Sequence, residues 1–128
     1  MREIVTPDAP GHTGPVPQAV ESGGWIYVSA LFGKAPGEAA LPADARAEAE
    51  QIFANLRAVL AAADADLHHV VQVRIVMRHL QRDRPLFNEV WTEQFGAHRP
   101  ARSAIEAGDF GRPGEGPRFM IEAVAHRP

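Results

Sequence analysis

Two charged residues in segments that otherwise read as strands are the strongest candidates for chemistry. Arg102 lies near the start of residues 101–107, which we expect to be a strand inside a sheet, and Glu122 lies in the apolar segment 118–126. The arginine must find an anion or several carbonyl oxygens, because its charge cannot be removed. Its planar fork suits a carboxylate held by two hydrogen bonds. A glutamate among apolar residues needs a compensating partner, and such groups are frequent in acid–base catalysis.

The same two residues also have a purely structural interpretation. If the strands over 101–107 and 118–126 are neighbours, Arg102 and Glu122 can form an ion pair between them and carry no chemistry. Spacing alone leaves both interpretations open.

The other polar residues give weaker signals. His68 and His69 are adjacent at the start of a predicted strand, where neighbouring side chains point to opposite faces, so we expect a surface turn there and not a metal site. His12 lies in a loop rich in glycine and proline, and the sequence assigns it no role. Lys34 is the only lysine among 13 basic residues and lies in a predicted loop, which disfavours Schiff-base chemistry. We expect no metal and no cofactor.

Composition excludes several classes of function. Cysteine is absent, which excludes disulfides, thiol nucleophiles and cysteine-based metal sites. The formal net charge is −3, and no basic stripe is present, which argues against nucleic-acid binding. No stretch of about 18 apolar residues exists, and the N-terminus lacks the apolar core of a signal peptide. We therefore expect a cytoplasmic protein that binds neither nucleic acid nor membrane.

Hydrophobic periodicity predicts the elements that position these residues. The 128 residues suit one domain, 1–128. Apolar residues recur at helical spacing over 42–63 and 83–96, which predicts two amphipathic helices. This pattern predicts an α+β fold, close to α/β, in which a mixed six-stranded sheet carries both helices on one face. The strands are predicted at 2–5, 18–22, 25–29, 70–78, 101–107 and 118–126.

The face of this sheet that the helices leave uncovered predicts an oligomer. Trp25–Val28 is apolar on both faces, and so is Val70–Met77. Two helices can cover only one face, so we expect the other face to be buried against further copies of the chain. A monomer with a poorly covered sheet is the alternative. Along Val70–Met77, one face is predicted to carry Val71, Val73, Ile75 and Met77, and the other to carry Val70 and Val76.

Segments along nearly the whole chain resemble the RidA (YjgF) family of small imine and enamine deaminases. The most specific is Arg99-Pro100-Ala101-Arg102-Ser103, and Gly24–Ser29 and Ile121–Ala125 also match. The resemblance implies the chorismate-mutase-like fold. It also implies a homotrimer whose three sheets form a central barrel with the helices outside.

The resemblance further implies a reaction in a cleft between subunits. Arg102 would bind the carboxylate of a 2-imino or 2-enamino acid, and Glu122 would orient or activate the water that adds to the C=N carbon. Ammonia then leaves, and a 2-oxo acid remains. The other substrate contacts that the resemblance implies are Val16, Ser29, Leu31, Phe32, Asn88 and Ala104.

Several residues around this implied site depart from the family pattern. Val16 stands where active members usually have a tyrosine, and Leu31 replaces a glutamine. Ala104 replaces a small thiol, and the loop 108–117 is a few residues longer than usual. We therefore expect a bulkier or more apolar substrate than the family's usual ones.

Two other functions fit the same resemblance. One is a non-catalytic trimer that binds small carboxylates or has a regulatory role. The other is a pathway-specific tailoring enzyme on the same scaffold.

Overall fold

Strands and helices alternate along the chain in the order that its hydrophobic pattern predicts. The computed structural model describes residues 1–12, 14–111 and 116–128. Within these residues the strands form one six-stranded sheet in which only β4 and β5 run parallel, so the predicted α+β fold with a mixed sheet is confirmed. The sheet order is β1-β2-β3-β6-β4-β5. The elements are β1 Arg2–Ile4, β2 Ala19–Ser22, β3 Trp25–Leu31, α1 Ala45–Ala62, β4 Val70–Met77, α2 Leu80–Phe95, β5 Ala101–Glu106 and β6 Phe119–His126.

The first residues of both helices bond side chains: an N-cap in α1 and a distant carboxylate in α2. Helix α1 starts at Ala45, because the Asp44 side chain accepts the N–H of Ala47 at 2.8 Å. Helix α2 starts at Leu80, earlier than expected, and the Glu106 carboxylate accepts the Leu80 N–H at 2.9 Å. Within the described residues no helix has the length and apolar character needed to cross a membrane.

The core lies between the helices and one face of the sheet. Phe53 of α1, Phe87 of α2 and Phe119 of β6 have no exposed surface. The ring centroids of Phe53 and Phe87 are 5.9 Å apart, and those of Phe87 and Phe119 are 5.1 Å apart. Both helices therefore pack on the same face of the sheet, as expected.

A β-bulge at the start of β4 changes which valines reach the core. The register of β4 against β6 shifts between Val70 and Gln72. Val70 is fully buried together with Val73, whereas Val71 is 41% exposed. The expectation that Val71 shares the face of Val73 is wrong, because the extra residue reverses the alternation of side chains.

The face of the sheet opposite the helices carries large apolar side chains. Trp25 and Tyr27 of β3 and Ile105 of β5 are between 40% and 58% exposed. The ring of Trp25 stacks on His126 with the centroids 4.4 Å apart. We call this surface the open face. Its apolar residues agree with the expected apolar character of both faces of the sheet.

A buried carboxylate joins α1 to the start of β6. Glu48 has no exposed surface, and its side chain accepts hydrogen bonds from the Arg118 guanidinium at 2.7 Å and the Arg118 N–H at 2.8 Å. The Phe119 N–H donates to the same carboxylate at 3.2 Å. A Cβ at Gly33 would lie 2.6 Å from the Glu48 Cγ atom, so only glycine fits there. These contacts fix the position of Arg118, where the loop 108–117 ends.

Candidate functional site

Arg102 is half-buried on the helix side of strand β5. Its Cζ atom lies 4.8 Å from the centroid of the Trp91 ring, which is cation–π geometry. Burial, together with repulsion from Arg84, lowers the pKa of the Arg102 guanidinium. Strand β5 is an edge of the sheet, so the expectation that Arg102 lies in an interior strand is wrong. Within the described residues, no strand pairs with the outer side of β5.

Helix α2 supplies the residues around Arg102. Arg84, Asn88 and Trp91 are spaced by four and three residues and therefore share one face of the helix. Ala104 follows two residues after Arg102, on the same side of β5, and packs against the core. The structure thus places Arg102, Asn88 and Ala104, three of the expected site residues, in one region.

Glu122 lies elsewhere, exposed on the open face of β6. It is opposite Arg74 in the register of β4 and β6. The two residues line a shallow depression of about 330 Å³ with Tyr27, Gln72 and Val124. Because β4 separates β5 from β6 and Arg102 is on the other face, the structural interpretation of Arg102 and Glu122 as a pair between neighbouring strands is wrong.

A bulge in β3 lies next to Glu122. Val28 pairs with Ala123 and Leu31 pairs with Ile121, so two residues, Ser29 and Ala30, oppose the single residue between them on β6. The Ser29 hydroxyl donates to the Pro17 carbonyl at 2.7 Å, and its N–H donates to Gln18. Ser29 therefore anchors the N-terminal loop to β3.

The N-terminal loop covers a cavity of about 420 Å³ beside this bulge. Three expected substrate contacts, Val16, Leu31 and Phe32, line it. Sequence reasoning assigned no role to His12, which also lines the cavity, and only its place in a loop rich in glycine and proline pointed to it. Gly111 reaches the cavity from the loop 108–117, whose residues 112–115 lie outside the described part of the chain.

The expected site residues thus form two groups in one chain. Glu122, the Ser29 bulge and the cavity belong to one group, and Arg102 with Asn88 and Ala104 belongs to the other. Two strands, β6 and β4, separate β3 from β5. A site that uses both groups needs residues from two copies of the chain.

The adjacent histidines lie at the surface, in a short 3-10 helix over Leu67–His69 and not in the expected turn. His68 has an 82% exposed side chain, and the His69 Nδ1 atom accepts the Asp66 N–H at 3.0 Å. Among the described residues no group of three histidine, aspartate or glutamate side chains is placed to hold a metal ion. Lys34, which the sequence places in a loop, is half-buried and lines the cavity.

Known proteins resemble this chain over most of its length. The sequence profile of the endoribonuclease L-PSP family matches residues 6–126. The human 2-iminobutanoate/2-iminopropanoate deaminase is 34% identical over 125 residues, 97% of this chain and 88% of the human one. The enzyme of that name from Dermatophagoides farinae is 38% identical over 105 residues, 81% of each chain.

Solved structures resemble this chain in fold as well. RidA from the Antarctic bacterium Psychrobacter sp. superposes with a TM-score of 0.92 at 30% identity, over 99% of this chain and 100% of that one. The expected chorismate-mutase-like fold is therefore confirmed. On both the sequence profile and the structure, the chain belongs to the endoribonuclease L-PSP family, the family of RidA and YjgF.

Proposed function

We propose that the chain hydrolyses reactive 2-imino and 2-enamino acids to 2-oxo acids and ammonia. A 2-enamino acid first becomes the imine, as a proton leaves nitrogen and another binds the β-carbon. Water then adds to the C=N carbon, so that a C–O bond forms and a proton passes to nitrogen. The C–N bond of the resulting amino alcohol then breaks, the remaining hydroxyl proton leaves with nitrogen as ammonia, and a C=O bond remains. The relatives that are named deaminases and cover four-fifths or more of the chain support this reaction.

The observation that carries the proposal is the burial of Arg102 and the charge of its neighbours. Its guanidinium is half-buried and has a second arginine, Arg84, as its electrostatic neighbour. Within the described residues it is paired with no carboxylate of its own chain. Such a group favours an anion that arrives from outside, and the two parallel N–H donors of its fork match a carboxylate. The carboxylate of a 2-imino acid is an anion of this kind.

Glu122 is the candidate for holding the attacking water. It is exposed on the open face, opposite the β3 bulge. Ala30 of that bulge also lines the cavity. A carboxylate oxygen can accept a hydrogen bond from a water molecule and so direct a lone pair of the water oxygen towards the C=N carbon. This role requires no metal and no nucleophilic side chain, so positioning and electrostatics would supply the acceleration.

The complete site is proposed to form between subunits of a homotrimer. The apolar open face supports burial against other copies, and the separation of Arg102 from Glu122 supports a site that two copies share. In this arrangement one copy binds the substrate carboxylate, and its neighbour provides the water and the cavity.

The test is a coupled assay of imine hydrolysis. An amino-acid oxidase generates imines in situ from amino acids with small and aromatic side chains, and release of the 2-oxo acid is followed with and without the purified protein. We expect acceleration above the spontaneous rate. A protein that accelerates release from none of these imines would refute the proposal.

A non-catalytic trimer that binds small carboxylates is the second candidate. The observation that favours it is Val16, at the place where active relatives usually have a tyrosine. Arg102→Ala separates the two functions: a deaminase loses turnover, whereas the binding protein loses only ligand affinity. A ribonuclease, which the family's description names, is disfavoured by the formal net charge of −3.

A further inference from the structure

One buried polar atom in the described structure has no hydrogen-bond partner. It is the Nε2 atom of His12, and His12 is one of the residues that line the cavity beneath the N-terminal loop. Buried polar atoms are nearly always paired, so an unpaired one in a residue that lines a cavity calls for an explanation. A ligand atom in the cavity would supply the missing partner.

The other residues that line the cavity indicate the size and chemical character of such a ligand. Val16, Leu31, Phe32 and Leu41 give it apolar walls, and Gly111 allows close packing, since a Cβ there would lie 3.3 Å from the Phe32 ring. Lys34 and Glu38 also reach the lining. A volume of about 420 Å³ is within the usual range for small-molecule sites. The walls therefore suit an aromatic or branched apolar group.

We propose that His12 is a specificity-determining residue, and that the cavity receives a substrate side chain which is apolar along its length and ends in a hydroxyl or similar group. This inference rests on the proposed deaminase function, and it assigns the substrate class of that site. The terminal group pairs with Nε2, which donates or accepts according to the tautomer of the ring. A substrate without that group would leave Nε2 unpaired in the occupied site and therefore bind less tightly.

The test compares two 2-oxo acids that differ by one hydroxyl group, 4-hydroxyphenylpyruvate and phenylpyruvate. Titration calorimetry measures the affinity of each for the full-length protein. We expect the hydroxylated acid to bind about tenfold more tightly. His12→Phe should remove this preference, and His12→Gln should retain part of it. His68→Phe, on the exposed turn, is the matched control and should leave the preference unchanged.

A spectroscopic measurement on the unaltered protein complements the variants. The ¹⁵N resonance of His12 Nε2 should move when 4-hydroxyphenylpyruvate is added and move little with phenylpyruvate. This readout decides the question even if His12→Phe fails to fold.

Arg102→Ala distinguishes failure of this inference from failure of the proposed function. If Arg102→Ala weakens both ligands equally and the hydroxyl preference remains, both proposals are supported. If Arg102→Ala has no effect on either affinity, the carboxylate-binding role fails while the preference for the hydroxyl group still supports His12. Equal affinities in the unaltered protein, absent binding of both acids, or a preference that persists in His12→Phe would overturn the inference.

Discussion

Arg102 and Glu122 lie on opposite faces of one sheet, on strands β5 and β6 that β4 separates. Neighbouring strands are about 4.8 Å apart, so the two backbone positions are about 10 Å apart and their side chains point away from each other. One small substrate can contact both residues only if they come from different copies of the chain. This relationship leads to a prediction about mixed assemblies.

Mixing two inactive variants should restore activity. Arg102→Ala lacks the carboxylate-binding group, and Glu122→Gln lacks the group proposed to hold water. In randomly mixed trimers with equal amounts of each, about one quarter of the shared sites receive an intact Arg102 from one copy and an intact Glu122 from the next. Imine hydrolysis should therefore return to about one quarter of the unaltered rate.

The two variants must be refolded together or co-expressed, so that their subunits exchange. Each variant alone, treated in the same way, provides the baseline. Activity that stays at this baseline in verified mixed trimers would show that the two residues do not serve one site.

Replacing Arg102 by lysine should separate the effect of its positive charge on hydrolysis from the effect of its planar shape. Arg102→Lys keeps the positive charge but loses the planar fork, so we expect kcat/KM for imine hydrolysis to fall by about two orders of magnitude. Arg57→Lys is the matched control, because Arg57 is an exposed arginine of α1 that bonds Gln94. An Arg102→Lys protein with unaltered kcat/KM would exclude two-point binding of the carboxylate.

A charge on the open face should prevent assembly. Ile105 is 58% exposed at the edge strand β5, and Ile105→Glu would place a carboxylate in the proposed contact between copies. Sedimentation should then give the chain mass of 13.9 kDa instead of three times that mass. Ala54→Glu, on the exposed side of α1, should sediment like the unaltered protein. Identical sedimentation of both variants would argue against the open face as the interface.

Removing the buried carboxylate of α1 should destabilise the protein strongly. Glu48→Ala leaves the Arg118 guanidinium and two backbone N–H groups without their acceptor, which should lower the free energy of unfolding by about 3–5 kcal/mol. Urea denaturation at a fixed protein concentration measures this loss. Glu50→Ala on the same helix removes only an exposed contact to Arg46 and should cost less than about 0.5 kcal/mol. Similar losses in both variants would contradict this account.

Filling the cavity should change the choice of substrate. Val16→Tyr places a ring where Val16 now lines the cavity, so hydrolysis of imines with aromatic side chains should fall about tenfold relative to that of small ones. The ratio of the two kcat/KM values is the measurement. Val5→Tyr adds the same ring at a position that is 73% exposed and outside the cavity lining, and it should leave the ratio unchanged.

The sequence carries enough information to place most elements, because helices and half-buried strands have different apolar periods. Helix starts are less well determined: α2 begins at Leu80, whose N–H donates to the distant Glu106. Simple alternation assigned the side chain of Val71 to the wrong face, because a single extra residue in β4 reverses the alternation. Such bulges leave no composition signal that one sequence can reveal.

The candidate site could be predicted as a set of residues but not as an arrangement. Arg102 and Glu122 stand out because charged residues interrupt strand patterns, yet their faces depend on which strands pair. The chain order places β5 directly before β6, whereas the sheet places β4 between them. His12 could not be assigned a role, because the burial of its Nε2 atom depends on how the N-terminal loop packs over β3.

The position of β6 has a consequence for how the protein is made. This strand is the last of the six in the chain, but in the sheet it lies between β3 and β4. Until a ribosome has released residues 119–126, the β1–β3 portion and the β4–β5 portion have no strand to join them. The sheet can therefore be completed only once β6 has emerged, through contacts between distant parts of the chain, which are slow to form. The unfinished chain exposes two unpaired strand edges during that interval, where chaperones are expected to bind.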